Sequence, residues 1–229
     1  MTTPDHNTLP PSSDAFSDAE KHAIYRVIAE RRDMRHFCDG TVPTEVLQRL
    51  LRAAHQAPSV GLMQPWRFIR IGKPSLREAL YQAVQKERAK TGEALGERDR
   101  EFLRLKVEGI RDCAELLVVA LMDNRDHHVF GRRTLPEMDL ASASCAIQNL
   151  WLTARAEGLG MGWVSLFEPE EMKSLLKMPP GSHPIAILCL GPVDEFYPRP
   201  MLEIEDWAQR QPLEEMIMED IWQTESVDR

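Results

Sequence analysis

Residues 137–157 constrain this chain more than any other stretch. Leu140, Ala143, Ile147, Leu150, Trp151 and Ala154 recur at helical spacing, small residues fill many of the positions between them, and Gly158 supplies a stop. The spacing predicts a long helix serving as the spine of the core. A capping-box pattern, Ser17-x-x-Glu20, opens an earlier helix carrying Ile24, Val27 and Ile28, and another follows Pro43 with Val46, Leu47, Leu50, Leu51 and Ala54 on one stripe. Strands are expected at 68–71, 116–122, 162–167 and 185–190, with a short helix beginning near Pro169. Helices and short strands alternate without a repeated βαβ rhythm, which predicts an α+β layer rather than a doubly wound sheet. The chain's 229 residues, 43% of them hydrophobic, suffice for one such core.

The remaining segments read as attachments to it. Residues 1–16 form a polar, proline-containing tail expected to be disordered, leaving 17–229 as a single domain. Residues 75–111, strongly charged and interrupted by Gly92 and Gly96, read as two exposed helices forming a lid rather than core elements. The segment 124–136 is a long polar loop. Residues 192–229 contain four prolines but also Trp207 and Trp222, and read as an arm wrapping a surface, most simply that of a second copy in a homodimer. The two tryptophans are expected to anchor the arm or the dimer, and Met138, Met161 and Met178 to fill the core.

Composition excludes several functions. Twenty-eight basic against thirty-six acidic residues give a net charge of -8, so no global positive field draws in nucleic acid or an anionic membrane. The apolar run 116–122 is far shorter than the roughly 20 residues a bilayer requires, and the N-terminal segment has no leader character, so a cytoplasmic location is expected. Four scattered cysteines without a CxxC argue for reduced thiols, and no histidine spacing suits a metal. The glycines at 158–162 come after a helix and enter a strand, the reverse of the Rossmann order, and no phosphate loop or G-x-S-x-G elbow exists.

What remains is suited to a flat, anionic ligand. Arg31, Arg32 and Arg35 converge after the first helix, and guanidinium forks match phosphate oxygens or the carbonyl edge of a heterocycle. The loop 57–66 combines Ser59, Gly61, Met63 and Gln64, the ingredients of a slot that hydrogen-bonds the rim of a ring and packs its face. Arg199, downstream of Gly191-Pro192, offers another phosphate ligand.

RRDMRHF at 31–37, APSVGLMQPWRF at 57–68, AEGLGMGWVS at 156–165 and GPVDEFYPRP at 191–200 resemble, in order and spacing, the FMN-binding segments of the nitroreductase-like flavoprotein family. The likeness covers about residues 20–210. It implies a nitroreductase-like fold, a mixed and mostly antiparallel sheet flanked by helices, with helical lid and C-terminal arm. That family usually has a small hydroxyl residue where this chain has Asp33. This departure, with RTLPEMD at 133–139, AIQNLW at 146–151 and GWVS at 162–165, resembles the branch that fragments reduced flavin to 5,6-dimethylbenzimidazole, the lower ligand of cobalamin.

The resemblance implies reduced FMN as a consumed substrate, O2 as co-substrate, erythrose 4-phosphate as co-product, and NAD(P)H acting through a separate flavin reductase. Arg31 and Arg199 would hold the phosphate, while Arg32, Arg35, Ser59 and Gln64 serve the ribityl chain and ring edge. Met34, Met63 and the Gly162-Trp163 backbone would line the ring. Asp33 and Ser165 would be catalytic, Asp33 as the base near the ribityl chain and Ser165 as a donor to the ring edge. Three nearby arginines are expected to favour the ionised form of Asp33. In an open site, reduced flavin is simply reoxidised with loss of hydrogen peroxide to water, so fragmentation needs a closed, dry pocket. The competing readings are an NAD(P)H-dependent nitroreductase or flavin oxidoreductase that retains its FMN, and a non-catalytic FMN-binding protein.

Overall fold

The computed structural model describes residues 14–222, so most of the expected tail and the last residues of the arm lie outside the described residues. A four-stranded sheet organises the rest. Its strands are β1 (Trp66–Arg70), β2 (Glu115–Leu121), β3 (Gly160–Val164) and β4 (His183–Gly191), ordered β1-β2-β4-β3 with every neighbouring pair antiparallel. One parallel bridge, Asp33 to Met161, extends the β3 edge.

The two central strands are apolar on both faces because helices cover both. Side chains alternate across a strand, so Leu117, Val119 and Leu121 of β2 pack with α2 (Thr44–His55) and α5 (Met138–Ala156), through Leu47, Leu50, Ile147 and Leu150. Leu116 and Val118 point the other way. They meet α3 (Pro74–Ala94) and α6 (Pro169–Leu176) through Leu80, Val84 and Met172. The expected spine is present as α5, which buries Ala143, Ala146, Ile147, Leu150, Trp151 and Ala154. Leu140, placed on its stripe by spacing, is instead 43% exposed, on the outer side of a first turn that buries Asp139.

The first helix, α1 (Asp18–Glu30), starts with the expected capping box, Ser17 and Glu20 each satisfying the other's backbone. Its apolar residues do not enter the core: Ile24, Tyr25 and Ile28 are 41%, 69% and 51% exposed. The charged stretch 75–111 requires a correction. Its first part is one helix, α3, and Leu76, Leu80, Ala83 and Val84 form a stripe that packs on the sheet, so this helix is a core element. The density of charge on its outer face hides that stripe. Gly92 lies within the helix, and the break comes at Gly96, whose φ of +58° suits glycine. Only α4 (Asp99–Arg104) and the residues after it stand over a cavity. The described part of the arm is irregular apart from α7 (Met201–Ile204) and a short 3-10 turn at Leu213–Met216.

Candidate functional site

The site is built on the free edge of β3. Asp33 bridges to Met161, and the Met34 N–H donates to the Met161 carbonyl over 2.9 Å, so residues 33–34 behave as a rudimentary fifth strand. One step further along, side chains take over the ladder. The Trp163 N–H donates to Asp33 Oδ1 over 2.9 Å, and Arg35 Nη2 donates to the Trp163 carbonyl over 2.9 Å and to Asp33 Oδ2. The central helix fixes the same corner, Trp151 Nε1 donating to the Arg32 and Met161 carbonyls over 3.1 and 3.0 Å. The Arg31 guanidinium stacks over the Trp151 ring, 4.4 Å from its centroid.

Above this floor lies a cavity of about 340 Å³, within the range that takes a small organic ligand. Arg31, Arg32, Asp33 and Arg35 line one side with residues 163–166, including Ser165, which follows the last residue of β3. Phe102, Leu105 and Val107 form a second wall. The arm supplies the third, with Pro200, Met201, Leu202, Trp207 and Arg210. A clasp joins the two apolar walls: the Arg98 guanidinium lies 3.6 Å from the Trp207 ring centroid, Arg98 Nη2 donates to the Trp207 carbonyl over 3.0 Å, and Trp207 leans against Phe102. Apart from Pro200, these wall residues fall outside every motif. The expected lid at 75–111 contains Phe102, Leu105 and Val107, and the expected arm anchor Trp207 points to the other wall.

The electrostatics of Asp33 differ from expectation. Two arginines and the Trp163 N–H do favour its charged form, yet burial in the recess outweighs them and pushes the carboxyl above its ordinary value. About 40% of its side-chain surface still faces the cavity, so the group is accessible to a ligand. Arg35 is 8% exposed, and its Nη1 is a buried donor without a partner. Such a donor is costly unless an acceptor arrives. Gly162 is required beside it: a Cβ there would overlap the Met34 carbonyl oxygen and come within 3.2 Å of Arg35 Nη1. The orphaned guanidinium donor fits the polar edge of a flat ligand, whereas Gly162 is glycine because the Met34 backbone already lies on β3 there, and it lines no part of the cavity.

Other expected site residues lie elsewhere. Met34 is beneath the floor, 1% exposed, and packs beside Gly160 and Gly162. Arg32 lines the cavity, but its donors are largely committed to the carbonyls of Ala29, Arg31, Tyr197 and Pro198, tying the arm to the end of α1. Arg199 is exposed and lines no part of the cavity. Met63 and Gln64 line a separate, open concavity of about 690 Å³ with Leu51, His55 and Trp66. Ser59 supports that second surface, its Oγ accepting from the Gln64 N–H over 3.1 Å, while Gln64 holds a left-handed φ of 49°. The two surfaces sit at opposite edges of the sheet. Four inter-strand steps of about 4.8 Å separate the Asp33 bridge from β1, on the order of 19 Å.

A model described as the nitroreductase family matches residues 28–192, which contain the cavity floor and the whole second concavity. The chain belongs to the nitroreductase family. Within it, this nitroreductase-family chain is 39% identical over 200 residues to the 5,6-dimethylbenzimidazole synthase of Rhodospirillum rubrum, covering 86% of this chain and 94% of that one. It is 35% identical over 201 residues to a 5,6-dimethylbenzimidazole synthase of Rhodobacter capsulatus, covering 87% and 97%. Among solved structures, an oxidised iodotyrosine deiodinase bound to FMN and 3-iodo-L-tyrosine matches with a TM-score of 0.69 at 21% identity, covering 87% of this chain and 100% of that one. These matches agree with the expected α+β nitroreductase-like fold. Among the described residues, no helix is long and apolar enough to cross a membrane, and no group of three or more His, Cys, Asp or Glu could hold a metal ion.

Proposed function

We propose that this chain consumes reduced FMN and O2 to form 5,6-dimethylbenzimidazole, with erythrose 4-phosphate as co-product, and so serves synthesis of the cobalamin lower ligand. The names of the two bacterial relatives support the first product. The observation that carries the reading is Asp33: a recessed carboxylate, held by the Trp163 N–H and Arg35, on the floor of a cavity with two apolar walls. Bound reduced FMN supplies the electrons that activate O2 and the ring system that becomes product.

The chain's own residues do the rest. Arg35 Nη1 donates to the ring edge or ribityl chain, and the ring lies against β3 at Trp163 rather than at Gly162, which the Met34 backbone covers. Arg31 meets the phosphate, joined by Arg199 once the arm is fixed, and Arg32 acts mainly by holding that arm. Asp33 accepts a proton from the ribityl chain, and its raised pKa makes it a stronger base than an ordinary aspartate once ionised; a placed base contributes about 10²–10⁴-fold. Ser165 donates to the ring edge where O2 reacts. Phe102, Leu105 and Trp207 exclude the water that would divert the reaction to hydrogen peroxide. The lid is thus narrowed to α4 and the arm, within one FMN-binding domain spanning 17–229.

Ser59, Met63 and Gln64 can reach a flavin on the Asp33 side only from a second chain, because they lie at the opposite sheet edge of their own. We therefore assign a homodimer in which each flavin lies between one chain's arginine floor and its partner's 59–64 loop. Reduced flavin would come from a separate NAD(P)H-dependent reductase. The deciding experiment supplies chemically reduced FMN to the purified protein in air and follows products by chromatography and mass. Dimethylbenzimidazole with matching loss of FMN is the expected result; quantitative return of oxidised FMN would overturn it and direct attention to turnover with NAD(P)H.

A further inference from the structure

The segment RTLPEMD at 133–139 carries part of the family resemblance, yet none of its side chains lines either concavity described above. Its chemistry is spent inward. Asp139, 4% exposed at the side chain, receives Arg125 Nη1 over 2.8 Å and Arg132 Nη2 over 2.9 Å on one oxygen, and the Leu140 N–H over 2.6 Å on the other. Arg132 also donates to the carbonyls of Arg125, His128 and Pro136, so one guanidinium gathers most of the loop onto the start of α5. Buried ion pairs of this kind add little net stability, and their best-attested use is to fix a geometry.

What is fixed here faces the 59–64 loop. Gly131 has a φ of +75° and packs so closely on Val60 that a Cβ would overlap Val60 Cγ2, while Gly61 lies against Phe130. The Val60 N–H donates to Ser142 Oγ over 3.0 Å, and that hydroxyl donates to the Met138 carbonyl, which ties the same loop to the first turns of α5. We propose that Arg125, Asp139 and Arg132 are positioning residues for the flavin-facing loop: they lock 124–137 to α5, and Gly131 with Phe130 forms the wall that sets Ser59, Met63 and Gln64. This inference rests on reading those three residues as flavin contacts.

The test uses the full chain and FMN. Arg125→Met leaves Asp139 paired to Arg132, and Gly131→Ala sets a methyl against Val60 in a turn outside the core, so one of the two reports even where the other fails to fold. Binding of oxidised FMN is followed by flavin fluorescence, amide exchange of 59–64 is measured without flavin, and KM is separated from kcat for reduced FMN. Each variant is expected to weaken FMN binding about tenfold, the equivalent of one lost hydrogen bond, to speed exchange in 59–64, and to raise KM with kcat unchanged. Adding Val60→Ala to Gly131→Ala removes the clash but not the strain of an alanine at a φ of +75°, and is expected to restore part of both affinity and exchange. Gln64→Ala is the control. If it weakens FMN binding while Arg125→Met and Gly131→Ala change neither affinity nor exchange, the positioning role is overturned. If Gln64→Ala leaves FMN binding intact, the flavin role of the loop falls instead, and exchange alone then decides whether the triad sets the loop.

Discussion

Asp33 sits where burial and two arginines pull its proton affinity in opposite directions, and burial wins. A base must be ionised to act, and a carboxyl with a raised pKa takes up its proton at higher pH than an ordinary aspartate. Product formation should therefore fall on acidification through a limb displaced upward from the usual carboxylate range. Asp33→Asn should keep reduced-FMN binding and lose benzimidazole formation, with reoxidation to FMN taking its place. Product yield against pH for both proteins checks this, and an equal yield from the variant removes Asp33 from the mechanism. The position of Asp33 was legible because a charged residue replaced the family's small hydroxyl within an arginine cluster. Its environment was not, since the cavity around it is closed by Phe102, Leu105 and Trp207, which are distant in sequence from residue 33.

At the scale of elements, periodicity identified both the central helix and the central strands, because each is long enough to show its spacing. It failed for α3, where Leu76, Leu80, Ala83 and Val84 are diluted by charged neighbours and the stretch read as a lid. The two descriptions differ in a measurable way. Leu80 is 0% exposed, so Leu80→Ala should cost about 2–5 kcal/mol and visibly lower Tm; an unchanged Tm would return α3 to the surface. The true cover is smaller. Arg98, stacked on Trp207, joins α4 to the arm across the cavity, so Trp207→Ala should open two walls at once while leaving the sheet intact. The expected outcome is unchanged folding with a lower ratio of dimethylbenzimidazole to hydrogen peroxide. An unaltered ratio would mean that the clasp does not keep water from the flavin.

At the scale of the whole molecule, two surfaces are left incomplete, and they are incomplete together. The arginine floor and the 59–64 loop each present groups suited to one flavin, from opposite sheet edges. Meanwhile Tyr25 and Ile28 on α1, and Leu213, Ile217, Ile221 and Trp222 on the arm, remain exposed, the last at 81%. In the proposed dimer, a second copy would cover these residues and complete both surfaces at once. The sequence pointed to the arm through its tryptophans, but it could not reveal that the segments resembling flavin-binding motifs divide between two edges, since order along the chain carries no information about strand order. Flavin binding should then depend on protein concentration. Replacing Ile221 and Trp222 by serine removes two exposed anchors without touching the core, and should weaken dimerisation about tenfold to hundredfold. Sedimentation would report the shift to monomer, and FMN titration at the same concentrations would report affinity. Loss of FMN binding in step with dissociation is expected; a monomer that binds FMN as tightly as the dimer would mean that one chain builds the whole flavin site by itself.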